Sequence, residues 1–66
     1  MITANIEYED NKGIMRYVDI QIVAIPAKGD MMDMSGIIDI KESHNVLTVE
    51  HTIFYPNHDL VTVKCY

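Results

Sequence analysis

The sequence is poor in the devices that usually hold so short a chain together. Its one cysteine, Cys65, leaves no internal disulfide to form, and a lone thiol fits a reducing compartment. Tryptophan is absent, and only two prolines and three glycines punctuate the 66 residues, so each is read as a turn. No apolar run is long enough to span a bilayer. The opening Met-Ile-Thr-Ala-Asn lacks the basic start and apolar centre of a signal peptide, which points to the cytoplasm. Positive charge is scarce too: five Lys and Arg face ten Asp and Glu, a formal net charge of −5. That balance repels phosphate backbones. The aromatics Tyr8, Tyr17, Phe54, Tyr55 and Tyr66 are also not interleaved with cations as a base-stacking surface requires. Neither nucleic acid nor membrane is an expected partner.

What the chain does have is apolar content of 48%, enough to argue against disorder, and an alternating pattern with no sustained helical repeat. Ile2, Ala4, Ile6 and Tyr8 share one face of a strand, against Thr3, Asn5 and Glu7. A second strand from about Met15 to Ile25 sets Val18, Ile20, Ile22 and Ala24 against Asp19 and Gln21. Between them Glu9-Asp10-Asn11-Lys12-Gly13 suits a type I turn closed by a left-handed glycine, a G1 bulge. The bulge predicts Tyr8 opposite Arg16, Ile6 opposite Val18, Ala4 opposite Ile20 and Ile2 opposite Ile22. Without it the pairing would slip by one and set apolar against polar faces. Further on, Pro26 to Asp30 reads as a tight reversal, Met31–Met34 and Ile37–Lys41 as short strands, and Glu42–Asn45 as a polar turn. Val46 to Tyr66 forms a β-rich closing hairpin around Pro56-Asn57-His58-Asp59. Matching its apolar faces requires a loop longer than four residues or a bulge. A five-residue loop sets Ile53 against Val63 and His51 against Cys65. The expected fold is all-β, one domain over residues 1–66, a partly open antiparallel barrel of five or six strands.

Pro26-x-x-Gly29-Asp30, followed by a short strand, Gly36 and a Val-rich C-terminal hairpin, resembles small uncharacterised SH3-like β-barrels of phages and bacteria. The likeness covers roughly Val18 to Tyr66. It implies an SH3-like barrel from a mobile-element setting, in the host-cell cytoplasm if phage-encoded, and it brings no catalytic residue.

The constellations with chemical capacity are few. His44, His51, His58 and Cys65 recur at steps of seven, a spacing that reverses face along a strand and lacks paired metal-ligand motifs. The His51–Cys65 pair allows a metal-binding or thiol-nucleophile reading, but a cysteine filling a small core site is the simpler one. Asp30, Asp33 and Asp39 lack the spacing of a calcium loop and read as a solvated acidic rim. Met31, Met32 and Met34 form a methionine cluster, with Met15 placed across the sheet. Met31 and Met32 point to opposite faces, so at least one lies outside the core. Phe54 and Tyr66 fall together on the face opposite Ile53 and Cys65. The candidate interface is therefore Met31, Met32, Met34, Phe54 and Tyr66 with Asp30 and Asp33. No cofactor, metal or catalytic group is expected. The function these features favour is a non-enzymatic protein-binding module acting as adaptor or inhibitor of a partner protein. A self-assembling structural subunit is the first alternative, and a small ligand- or metal-binding protein built on His51 and Cys65 is the second.

Overall fold

A computed structural model describes all residues from Met1 to Tyr66. Five strands follow in order: β1 (Ile2–Glu9), β2 (Met15–Ile22), β3 (Met31–Asp33), β4 (Val46–Tyr55) and β5 (Leu60–Cys65), with a single 3-10 turn at Pro56–His58. They make one sheet of order β2-β1-β5-β4-β3, curled into a half-barrel without α-helix. Three of the pairings are antiparallel and one, β1 with β5, is parallel, a pairing that a wholly antiparallel barrel does not contain.

The first hairpin has the register its turn chemistry dictates. Ile2 faces Ile22, Ala4 faces Ile20, Ile6 faces Val18 and Tyr8 faces Arg16. Gly13 takes φ +78°, and its N–H donates to the Asp10 carbonyl at 3.0 Å while the Asp10 N–H donates to the Ile14 carbonyl at 2.9 Å. Only a residue without Cβ enters that left-handed position at little cost. β1 and β5 lie at the centre of the sheet, and their inward residues Ala4, Ile6, Val61, Val63 and Cys65 are buried with Met34, Ile38, Leu47 and Val49.

The closing hairpin departs from the five-residue-loop register. The loop has four residues, Pro56 to Asp59, so Tyr55 faces Leu60, Ile53 faces Thr62 and Phe54 faces Val61. That register alone would turn Leu47 and Val49 away from the core. A bulge between Val49 and His51 repairs it: Val49 faces Cys65 and His51 faces Lys64, with Glu50 as the extra residue. β4 therefore presents odd-numbered residues to the core before the bulge and even-numbered ones after it.

Two further expectations are corrected. Ile37–Lys41 is not a strand but successive turns. The Ile37 and Ile38 N–H groups both donate to the Met34 carbonyl, and those of Glu42 and Ser43 donate to the Asp39 carbonyl. Ile38 is buried and Ile40 exposed, so the two do not share a face. The second strand stops at Ile22, and Pro26–Asp30 does not reverse the chain between neighbours, because β2 and β3 are opposite edges of the sheet. The turn spans Ala27–Asp30, closed by the Asp30 N–H on the Ala27 carbonyl at 3.0 Å with Gly29 at φ +90°; Pro26 precedes it. It docks on β4 just before the bulge, where the Gly29 N–H donates to the Val49 carbonyl and the Val49 N–H to the Asp30 carbonyl, each at 2.8 Å.

Candidate functional site

The candidate interface residues are distributed over three environments. Met34 is fully buried and belongs to the core. Met32 pairs with the buried Leu47 and is half-buried on the inner face. Met31 pairs with Thr48, and Thr48 in turn exchanges both main-chain hydrogen bonds with Tyr66, so Met31, Thr48 and Tyr66 form one row on the outer face. Met31 is 70% exposed and Tyr66 67%. Val46, opposite Asp33, extends the patch by one row.

Phe54 is not part of this patch. The four-residue loop places it on the face of Val61, whereas Tyr66 shares the face of Lys64 and Thr62. The two aromatics expected side by side are thus on opposite faces of the sheet. Met15 is also remote from the cluster in strand order, since it lies on β2 at the far edge.

Two aspartates frame the Met31–Tyr66 corner, each engaged with its own turn. Asp30 Oδ2 accepts the Ala27 N–H at 2.8 Å. Asp33 Oδ1 accepts both the hydroxyl and the N–H of Ser35, and these two bonds hold its carboxyl below its ordinary value of 3.8. Both residues remain exposed; Asp33 shares the outer face of Met31, and Asp30 lies in the turn that leads into β3.

His51 and Cys65 do not meet. The four-residue loop sets His51 opposite Lys64 on the outer side, and the bulge sets Val49 opposite Cys65 on the core side. No group of three His, Cys, Asp or Glu side chains is arranged to hold a metal ion. Cys65 lies at the wall of an open cleft of about 430 Å³, with Tyr8, Asp10, Met15, His44, Leu47 and Tyr66 around it. Burial pushes its thiol up from the ordinary value, which keeps it protonated and weakly nucleophilic at neutral pH.

The most connected polar residue of the molecule is Asp10. Its carboxylate accepts the Lys12 and Ile14 N–H groups at 2.8 and 2.9 Å and the Arg16 Nε–H at 2.9 Å. The Ile14 bond first, then Arg16, pulls its carboxyl below the usual range. The next residue, Asn11, donates its N–H to the Glu42 carbonyl at 2.9 Å, tying the hairpin tip to the 39–45 turns. Sequence alone shows an Asp at a turn. That Arg16 comes back to it follows from the hairpin register, which sets Arg16 beside Tyr8 on the inner face. No protein-family model matches the chain, and no curated protein or solved structure matches it either.

Proposed function

We propose that this chain is a non-enzymatic protein-binding module that acts as adaptor or inhibitor of a partner protein. The observation that carries the reading is the outer corner where Met31 and Tyr66 lie in one row, strongly exposed, beside Asp30 and Asp33. An apolar centre of adaptable methionine and tyrosine with a charged rim has the anatomy of a binding patch. The rim and the net charge of −5 select a partner that is basic around an apolar contact. The likeness to small phage and bacterial SH3-like barrels belongs to the same proposal; the strand count, the curl of the sheet and the Gly29-Asp30 turn support it.

Affinity capture from a lysate of the source cell tests the reading, with Met31→Glu as the paired control. A partner retained by the unaltered chain and lost with Met31→Glu is the expected result. Capture that ignores the substitution, or nothing above background, overturns it. A second reading, a subunit that assembles with itself, rests on a different observation, the uncovered edge of β2.

A further inference from the structure

The open edges of the sheet are unequally protected. β3 offers three residues only. The part of β4 beyond β3 is short, follows a bulge and ends on Pro56. β2, by contrast, presents eight residues, Met15–Ile22, without proline, glycine, lysine or bulge. Those are the devices that normally blunt an edge. Its inward charge is also neutralised, since Arg16 Nε donates to Asp10 Oδ2 at 2.9 Å.

The phase of the ladder defines what this edge exposes. Because the Asp10 N–H donates to the Ile14 carbonyl, the main-chain groups of Arg16, Val18, Ile20 and Ile22 turn to β1. Those of Met15, Tyr17, Asp19 and Gln21 point away from the sheet.

We propose that β2 pairs with β2 of a second copy, antiparallel about a two-fold axis through Val18. An isologous contact must be its own complement, and this strand is. About that axis Tyr17 meets the partner's Asp19 and Met15 meets the partner's Gln21, and these are the positions whose main-chain groups are free. On the inner face Val18 meets its own copy, Arg16 meets the partner's Ile20, and Ile14 meets the partner's Ile22. Ile14 is 51% exposed in the single chain, and the contact gives it an apolar neighbour. No charge faces a like charge. Other axes do worse: one at Ile20 leaves only Val18–Ile22 of the strand paired, and one at Arg16 only Met15–Tyr17. An axis at Asp19 sets two carboxylates together, and one at Tyr17 puts Lys12 opposite Ile22. An axis between residues turns outward main-chain groups against inward ones. The contact would extend the inner face from the half-buried Val18, Ile20 and Ile22 into the second copy. This inference rests on the self-assembly reading and stands apart from the Met31–Tyr66 one, which uses the other edge of the sheet.

Sedimentation equilibrium over a range of protein concentration reads the association, alongside hydrogen exchange. A monomer–dimer equilibrium is expected, with the amides of Met15, Tyr17, Asp19 and Gln21 gaining protection as concentration rises. Tyr17→Asp sets two like-charged pairs across the axis and weakens the dimer roughly tenfold. Adding Asp19→Lys in the same chain restores opposite charges and recovers the dimer. Met31→Glu leaves the dimer unchanged. As a check independent of these charges, Val18→Cys forms a cross-linked dimer under mild oxidation, because the axial non-hydrogen-bonded pair brings the two sulfurs within reach. A chain that stays monomeric at millimolar concentration overturns the proposal. So does a dimer that ignores Tyr17→Asp, or one that cross-links through Ile53→Cys and not through Val18→Cys.

Discussion

The two hairpins solve the same problem in different places. In the first, the extra residue sits in the turn, at Gly13, so β1 and β2 keep one parity from end to end. In the second, the four-residue Pro56 loop gives the wrong parity for Leu47 and Val49, and the correction is made inside β4 at Glu50. The difference separates two sources of register. Local turn chemistry sets it where the turn and the flanking pattern agree. Burial sets it where they disagree, because Leu47 and Val49 lose more by facing water than the ladder loses at one bulged position.

Which residues of β4 carry the core distinguishes the two sources of register. Leu47 is fully buried and Ile53 is half-exposed on the other face. Leu47→Ala is expected to cost about 2–5 kcal/mol in urea unfolding, enough to unfold much of so small a domain. Ile53→Ala is expected to cost under about 1 kcal/mol, since its surroundings stay wet. Equally large losses at the two sites would mean a longer loop without a bulge, with Ile53 facing inward.

The first hairpin is probed at its glycine. Gly13→Ala forces a side chain into φ +78°, at a cost of about 1–2 kcal/mol in the same assay. Its Cβ would lie 3.3 Å from Glu9 Oε1, the end of a flexible side chain, so backbone strain and not collision decides the effect. Gly13→Asn, which tolerates the left-handed region better, should cost less.

Acid titration sharpens the role of Asp10 at the same turn. Its carboxyl is held below the ordinary value of 3.8 by the Ile14 N–H and then by Arg16. The stabilisation it provides is therefore complete above the unfolded value and is lost as pH falls through the lower folded one. Asp10→Asn should flatten the acid limb of the stability curve below about pH 4, while leaving its shape near neutrality unchanged. An acid limb identical to that of the unaltered protein would show that other carboxyls dominate.

The smallest effect is expected from deleting Glu50. Without it, His51 opposite Lys64 and Val49 opposite Cys65 become consecutive pairs of a regular ladder, and Leu47 and Val49 still face inward. The deletion variant should fold and retain the Val49–Cys65 proximity in nuclear Overhauser spectra. Loss of that proximity would mean that the bulge is needed to curl the sheet and not only to rephase it.

The first hairpin is fully legible in the sequence, because Ile2, Ala4, Ile6 and Tyr8 alternate without interruption and Gly13 has one good use. The need for a repair in the second hairpin is legible too, but its form is not, since a longer loop (His51 opposite Cys65) and a bulge (His51 opposite Lys64) satisfy the same pattern. The alternation of Ile38 and Ile40 imitates a strand over Ile37–Lys41. Asp39 instead closes turns with the Lys41, Glu42 and Ser43 amides, and local hydrogen bonding of that kind outcompetes a short edge strand. At the candidate surface, parity shows that at least one of Met31 and Met32 lies outside the core, but not that it is Met31, nor that Met34 is buried. The separation of Phe54 from Tyr66 is not legible either, as it depends on the four-residue loop that pairs Tyr55 with Leu60.

By itself, then, the sequence determined an all-β chain with alternating strands, a defined first hairpin and an acidic surface, since these depend on side-chain period, turn glycines and charge. Tertiary structure decided the rest. The parallel union of β1 with β5 pairs strands from opposite ends of the chain, which no local signal specifies. The bulge at Glu50 appears only when both halves of β4 compete for one core. The open edge of β2 exists because the strand order ends there, leaving regular main-chain groups without a neighbour.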